Sequence, residues 1–336
     1  MLLAKIVILN WNGAGHLRRY LPVVVAAAPP GAGVVVADNG STDDSVGLLQ
    51  REFPSVEVVR LDRNYGFAGG YNRALKQIEA DCYVLLNSDV ATPEGWLEPL
   101  LACLERNPDV AVAAPKLLAD TDRSQFEYAG AAGGYMDYLG YPFCRGRMLR
   151  TVERDRGQYD DERDVFWVTG AAFCCRAAVF HALGGFDDDF FAHMEEIDLC
   201  WRMQLAGWRV RIVPQSTVYH LGGGTLTADS PRKVFFNHRN NLAMLFKCAA
   251  PVQRFVVAAV RPWLDLLAAF SYLLQGRRDN FCAVFRAWRD FLKWHPALTA
   301  KRRFVRGSRV GAPCGIYRGS LLLRYLFGRR TFGRLL

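Results

Sequence analysis

Over its first 115 residues the chain alternates short, β-branched-rich apolar runs with segments of helical length, and this alternation constrains the fold more than any other feature. The runs lie at 5–9, 34–37, 56–61, 82–86 and 110–114, with helical patterns at 45–53 and 68–79 between them. Strands alternating with helices give an α/β architecture, a mostly parallel sheet flanked by helices on both faces. In such sheets ligands bind beyond the carboxyl ends of the strands. The loops after the first, second and fourth runs are Asn10-Trp11-Asn12-Gly13, Asp38-Asn39-Gly40-Ser41-Thr42-Asp43-Asp44-Ser45 and Asn87-Ser88-Asp89. All three are polar and all three fall on that edge.

Beyond this region, residues 120–164 carry Gly, Tyr, Arg and Asp without a clear period, which predicts an irregular excursion with a hairpin around Gly133-Gly134. A buried strand is expected over 165–175, helices over 176–183 and 194–206, and a further strand over 209–214. From about residue 231 the chain reads as helical, with Arg and Lys alternating with Leu, Phe and Trp. Charge divides the sequence at nearly the same place. Residues 251–336 hold 17 Lys and Arg against Asp265, Asp279 and Asp290, a balance of +14, whereas residues 1–250 carry −5 within an overall +9. Basic segments meet nucleic acid or anionic membrane. No nucleic-acid recognition motif accompanies this one. Trp263, Trp288 and Trp294 interleaved with Arg are the composition of an interfacial helix, and equally of helices packed on a domain with Arg turned to solvent. The best span candidate, 255–274, contains Arg261, Pro262 and Asp265, so it is expected to lie on a membrane rather than cross it.

The apolar stretch at 1–10 is shorter than a signal-peptide core and reads as the first strand. Nine cysteines without a C-x-x-C pair, most inside apolar runs, point to a reducing cytosol.

Chemistry-bearing residues cluster at three places. Asp89 ends an apolar strand at the ligand edge, where one carboxylate together with substrate phosphates suits Mg²⁺ or Mn²⁺; a turn or helix-cap aspartate is the other reading. Glu195-Glu196-Ile197-Asp198 gathers three acids in four residues. Neighbouring acids raise one another's pKa, as a general base working near neutral pH requires, although acids at a helix start also complement its dipole. His220 precedes Gly222-Gly223-Gly224 and is either a metal ligand beside a phosphate-approaching backbone or a structural histidine. The segment Gly66-Phe67-Ala68-Gly69-Gly70-Tyr71-Asn72 is not a dinucleotide fingerprint, and no P-loop, nucleophile elbow, H-E-x-x-H or paired-cysteine zinc spacing occurs. These absences argue against nicotinamide enzymes, P-loop ATPases and zinc hydrolases.

In order along the chain, Ile6-Val7-Ile8-Leu9-Asn10-Trp11-Asn12, the Asp38 to Ser45 loop, Asn64-Tyr65-Gly66-Phe67-Ala68-Gly69-Gly70-Tyr71-Asn72 and Leu85-Leu86-Asn87-Ser88-Asp89 are followed by Val168-Thr169-Gly170-Ala171-Ala172. Gly184-Gly185-Phe186-Asp187-Asp188-Asp189-Phe190-Phe191, Glu195-Glu196-Ile197-Asp198-Leu199-Cys200-Trp201-Arg202 and His220 complete the series. Together they resemble the family 2 inverting glycosyltransferases of the GT-A fold, the nucleotide-diphospho-sugar transferase fold, in the bacterial rhamnosyltransferase-like branch. The resemblance implies a nucleoside-diphosphate sugar as donor and a divalent cation, Mg²⁺ or Mn²⁺. It implies that Asn10 and Asp38 contact the base, that Asn12, Asn39, Asn64, Asn72 and Asn87 bind around the donor, and that Asp89 and His220 hold the metal. The base falls among Glu196, Asp198 and Glu195, because Glu stands where the family usually has Asp, and Asn87 replaces the first acid of its D-x-D motif.

The expected organisation is a catalytic domain at 1–230, with a nucleotide-binding part at 1–115 and an acceptor part at 116–230, followed by a helical, basic, amphipathic extension at 231–336. His238-Arg239-Asn240-Asn241 at its start resembles the Arg-Asn that follows the catalytic domain in this branch. The expected function is transfer of a sugar, rhamnose favoured, to a glycan or lipid-linked acceptor in surface polysaccharide synthesis. The enzyme is expected in the cytoplasm, peripheral on the inner face of the membrane through contact with anionic lipid. A nucleotidyltransferase on a similar sheet, releasing pyrophosphate, and a non-catalytic nucleotide-sugar-binding module are the alternatives.

Overall fold

The computed structural model describes residues 2–222 and 230–335; Gly223 and Gly224 of the glycine run lie outside the described residues. The first half alternates as the sequence requires: β1 (Ala4–Asn10), α1 (Ala14–Ala26), β2 (Ala32–Asp38), α2 (Ser45–Glu52), β3 (Glu57–Arg60), α3 (Gly66–Leu75), β4 (Cys82–Asn87), β5 (Val90–Ala91), α4 (Glu98–Arg106) and β6 (Val110–Ala119). Then come β7 (Gly134–Asp137), β8 (Pro142–Cys144), β9 (Arg147–Met148), β10 (Thr151–Val152), β11 (Arg163–Asp164), β12 (Ala172–Arg176), α5 (Ala177–Ala182), α6 (Glu195–Leu205) and β13 (Arg209–His220). The chain closes with α7 (Pro231–Cys248), α8 (Pro251–Leu274), α9 (Arg278–Gly307), β14 (Ile316–Tyr317) and α10 (Leu321–Leu326).

The main sheet has the order β11-β13-β6-β12-β4-β1-β2-β3, with β5 paired to β13. β1 to β4, β6 and β13 run in one direction, while β12 lies between β4 and β6 antiparallel to both. Helices cover both faces, so the strands are apolar on both sides. Val7 and Leu85 join one core layer, whereas their neighbours Ile6, Ile8, Val84 and Leu86 join the other, as the period of two demands. Register places Asn10 opposite Asp38, and Leu9 opposite Asn87. The three polar loops therefore emerge together at one edge.

Two local expectations change. The excursion forms a second sheet, β10-β9-β8-β7-β14, and Gly134 begins a strand rather than a hairpin turn; the turn lies at 138–141, where Asp137 Oδ1 accepts from the Leu139 and Tyr141 amides. The run at 165–175 is buried throughout, but regular pairing begins only at Ala172, because the Gly134 amide bonds to the Trp167 carbonyl and the Val165 amide to that of Val210.

The basic segment is woven into the domain. β14 pairs in parallel with β7, the Leu321 amide donates to Asp137 Oδ2 at 2.8 Å, and Phe332 packs on Tyr135 with ring centroids 4.9 Å apart. Trp288 donates to Asp265 and Trp294 lies under the Arg239 guanidinium, so of the three tryptophans only Trp263 is exposed. α8 is long and apolar enough to cross a bilayer by length and composition. Its inward stripe, however, is Gln253, Val257, Arg261, Asp265 and Ala269, with Arg261 paired to Asp265, while Val252, Phe255, Trp263, Leu267, Phe270 and Leu274 face outward. The helix is amphipathic with its apolar side out.

A buried ion cluster joins this segment to the body of the domain. Lys247 of α7 reaches Asp187 at 2.5 Å and Asp198 at 2.8 Å, Arg202 pairs with Asp198 at 2.8 Å, and Lys301 of α9 bonds Asp187 and Asp189. Burial works against the Lys247 ammonium, but Asp198 and then Asp187 hold its pKa above the usual lysine value. Lys247→Met leaves both carboxylates without their shared cation, so unfolding in urea should show a loss of about 3–5 kcal/mol.

Candidate functional site

The first group of site residues is a hydrogen-bonded floor at the ends of β1 and β2. Asn10 Nδ2 donates to Asp38 Oδ1 at 3.3 Å and to Ser41 Oγ at 3.2 Å, and its buried Oδ1 has no partner. Asp38 Oδ2 accepts from the Ser41 amide. Asn12, at φ 51°, accepts from the Thr42 amide at 2.7 Å and from that of Asp43, closing the first loop on the second. Asn39 spends its amide on the Gly66 carbonyl, Asn64 Oδ1 and the Tyr65 amide, and Asn64 also accepts from the Gly66 amide. Asn39 and Asn64 thus shape the floor, whereas the unspent acceptor belongs to Asn10.

The second group closes around His220, the last residue of β13. Its Nε2 lies 3.2 Å from Asp89 Oδ1 and 3.5 Å from Asn87 Nδ2, and its Nδ1 lies 3.4 Å from Glu127 Oε1. Burial lowers the imidazole pKa, but hydrogen bonds and charge from Asp89 and Glu127 outweigh it and raise it to about 10. Burial likewise opposes ionisation of Asp89, yet His220 brings its pKa below the usual value. An oxygen and an imidazole nitrogen about 3 Å apart fit adjacent ligands of a cation with bonds of about 2.0–2.1 Å. Among the described residues no three His, Cys, Asp or Glu side chains form a complete metal site. Glu127 thus faces the second imidazole nitrogen, which is buried without a well-aligned hydrogen-bond partner. Sequence reading missed Glu127 because it lies in the aperiodic excursion with no motif around it.

The third group is the acidic start of α6. Glu195 and Glu196 each bury an Oε2 atom without a partner. Burial raises the Glu196 pKa to about 7; burial, then the charge of Glu196, raises that of Glu195 well above the usual carboxylate range. A Cβ at Gly170 would stand 3.3 Å from the Phe67 ring and 3.8 Å from Glu196 Cβ, and the Asn87 amide bonds the neighbouring Ala171 carbonyl. Gly170 is therefore where the acidic pair, the α3 start and the Asn87 edge approach one another.

Asp198 and Asn72 belong elsewhere. Asp198 is fully buried, with one oxygen paired to Arg202 and the other to Lys247. Asn72 binds the Phe186 amide and carbonyl and Asp188, fastening α3 to the 184–191 loop rather than lining the donor floor.

That loop enters α6 through left-handed backbone at Phe191 (φ 64°), His193 (69°) and Met194 (73°), a conformation costing about 1–2 kcal/mol per residue. Asn240 Nδ2 lies 2.8–3.0 Å from the carbonyls of Phe190, Ala192 and His193, and Arg239 donates to those of Asp189 and Phe190. The Phe191 carbonyl accepts from the Phe67 amide at 2.6 Å; Gly66, at φ 74°, permits this approach, since a Cβ there would lie 2.5 Å from the same oxygen. The Arg-Asn pair noted in the sequence is the clamp that holds the acidic pair in place.

This architecture is that of GT-A glycosyltransferases. The chain aligns with GalNAc-T7 solved with UDP, GalNAc and Mn²⁺ at TM-score 0.61 and 17% identity, over 78% of this chain and 51% of that one. It aligns with TarS 1–349 of S. aureus solved with UDP-GlcNAc at TM-score 0.57 and 16% identity, over 97% and 92%. More narrowly, residues 5–177 match glycosyl transferase family 2, and the chain belongs to that family. Similar proteins include the N-acetylglucosaminyl-diphospho-decaprenol L-rhamnosyltransferase of Mycobacterium tuberculosis, 28% identical over 71% of this chain and 83% of the relative. The pre-mycofactocin glycosyltransferase of the same species is 28% identical over 80% of this chain, which spans 55% of that relative.

Removing the clamp should separate stability from chemistry. Asn240→Ala exposes three carbonyls to an apolar surround and should cost about 1–3 kcal/mol in urea unfolding. Glycosyl transfer measured at a temperature where the variant is folded should fall by more than tenfold, as loosening of about an ångström at a catalytic group predicts.

Proposed function

We propose that this glycosyltransferase moves a sugar, rhamnose favoured, from a nucleoside-diphosphate sugar to a lipid-linked or glycan acceptor, inverting the anomeric centre. The observation that carries the reading is Glu196, a half-buried residue with an unpartnered, buried carboxylate oxygen whose pKa is raised to about 7 by burial, beside the glycine where the polar strand ends meet the acidic helix. The sugar and acceptor follow the relative whose name specifies L-rhamnosyl transfer to a lipid diphosphate.

Asn10 and Asp38 hold the base, with Asn12, Asn39 and Asn64 fixing the loops that carry them. Asp89 and His220, with Asn87 beside them, would hold Mg²⁺ or Mn²⁺, with Glu127 facing the other imidazole nitrogen. A cation there would supply charge neutralisation for the departing nucleoside diphosphate. Glu196 accepts the acceptor hydroxyl proton as that oxygen attacks the anomeric carbon opposite the leaving group, so one displacement inverts configuration. Residues 1–115 serve the nucleotide and 116–230 the acceptor. The outward apolar face of α8 and the +14 charge of residues 251–336 support peripheral attachment to anionic lipid at the cytoplasmic face of the membrane.

Turnover should rise as pH increases through about 7, because a carboxyl with that pKa is protonated below it and cannot accept a proton. Glu196→Gln should lower turnover by about 10²–10⁴ while preserving the thermal shift given by the donor. A near-normal rate in Glu196→Gln, with loss in Glu195→Gln, would transfer the role to Glu195. Asp89→Ala should abolish the part of the donor's thermal shift that a chelator removes from the unaltered protein; retention of that part would exclude Asp89 as a ligand.

A further inference from the structure

The functional groups stand in a definite order along the ligand edge. The base floor lies at the paired ends of β1 and β2, and Asp89 and His220 meet where β5, just after β4, pairs with β13. A nucleoside-diphosphate sugar with its base at the first place and its diphosphate near the second carries its sugar onward, into the gap between His220 and Glu196.

Residues 127–130 bridge that gap. At one end Glu127 Oε1 lies 3.4 Å from His220 Nδ1, and Glu127 Oε2 accepts from the Ala129 amide at 2.6 Å, closing a tight turn around Tyr128. At the other end Gly130 packs on Thr169, where a Cβ would stand 2.4 Å from Thr169 Cβ; the next residue, Gly170, is the one that faces Glu196. Both flanks of the turn are tied to β6. The Glu127 amide bonds the Leu117 carbonyl at 3.0 Å and the Leu117 amide bonds the Ala131 carbonyl at 2.9 Å.

Tyr128 is the aromatic residue of this turn and is 52% exposed. Its position is nevertheless fixed by Arg147 of β9, which is buried. Arg147 Nε donates to the Tyr128 carbonyl at 2.9 Å, its Nη1 and Nη2 reach the Pro142 carbonyl and Cys144 Sγ at 3.4 Å each, and its guanidinium carbon lies 4.8 Å from the Tyr128 ring centroid. A buried cation committed to neutral acceptors and to a ring face holds that ring in place. Burial chiefly raises the Cys144 thiol pKa against Arg147, and the charges of Glu127 and Glu196 both add to the rise. The support of Tyr128 therefore lies within electrostatic reach of both carboxylates.

A pyranose carries hydroxyls around its edge and C–H groups on its faces. The edge needs polar partners, whereas the face needs flat apolar area. A tyrosine ring supplies such area with few rotatable bonds, and one already fixed in place loses little freedom on binding. A phosphate would gain nothing from the ring, and the base is placed at β1 and β2.

We propose that the open face of Tyr128 stacks on the pyranose ring of the sugar being transferred and holds its anomeric carbon between His220 and Glu196. Tyr128 is then a positioning and specificity residue for that sugar. This rests on the nucleotide-sugar reading above and deepens it.

The test compares two ligands that share a base. One is whichever uridine, deoxythymidine or guanosine diphosphate sugar gives the unaltered protein the largest thermal shift with Mn²⁺; the other is the same nucleoside diphosphate without the sugar. By calorimetry, Tyr128→Ala should bind the sugar nucleotide about tenfold more weakly, the scale of one aromatic stacking contact. It should bind the free nucleoside diphosphate as the unaltered protein does, which also shows that the variant is folded. Tyr128→Phe, which keeps the ring, should restore sugar-nucleotide affinity. Equal weakening of both ligands in Tyr128→Ala would point to a structural role and overturn the proposal, as would unchanged affinity for both. A loss in Tyr128→Phe as large as in Tyr128→Ala would move the effect from the ring to its hydroxyl and overturn stacking. Failure of the unaltered protein to bind any sugar nucleotide would overturn the donor reading itself, and this assignment with it.

Discussion

The contact on which the rest depends is the buried ammonium of Lys247 between Asp187 and Asp198. Two carboxylates in an interior would repel each other; one cation, assisted by Arg202 on Asp198 and Lys301 on Asp187, offsets that repulsion. Breaking such a cluster is costly because it strands a charge, even where a wholly apolar replacement would be tolerated. The cluster links α6, the loop before it, α7 and α9. Residues distant in sequence are thereby fixed in relation to the acidic pair, and the C-terminal third becomes part of the support for the site.

The loop between them is a second device of the same kind. Left-handed backbone at Phe191, His193 and Met194 persists only where surrounding groups over-determine it. Asn240, Arg239 and the amide of Phe67 do so. The result turns the chain sharply into α6 and leaves Glu195 and Glu196 with buried, unpaired oxygen atoms. Stability is given up locally to keep a carboxylate partly desolvated, the condition that raises its pKa toward neutrality.

Legibility in the sequence followed the range of the forces involved. The alternating strands and helices of the first half, and the polar loops at their ends, were readable because side-chain periodicity and burial on two faces are local properties. Asn10, Asp38, Asn87 and Asp89 stand at strand ends, and parallel register necessarily brings strand ends together. Glu127 was not readable: its importance comes from facing His220, nearly a hundred positions later in the chain. Asp198 looked like a third acid available for chemistry, and only the arrival of Lys247 from α7 shows that its charge is already spent. Asn72 was similarly claimed by the 184–191 loop. The basic segment read as helical from its composition, yet nothing local announced that residues 316–317 would add a strand to the second sheet or that Phe332 would complete an aromatic core.

The sequence by itself determined the α/β class, the ligand edge and the kinds of groups presented there, because these depend on periodicity and on residues within one element. The tertiary structure alone decided which acid remains free, which carboxylate each nitrogen of His220 faces, and which side of α8 is exposed. Those outcomes depend on desolvation and on charges brought together from distant segments, and neither is a property of any stretch of sequence taken alone.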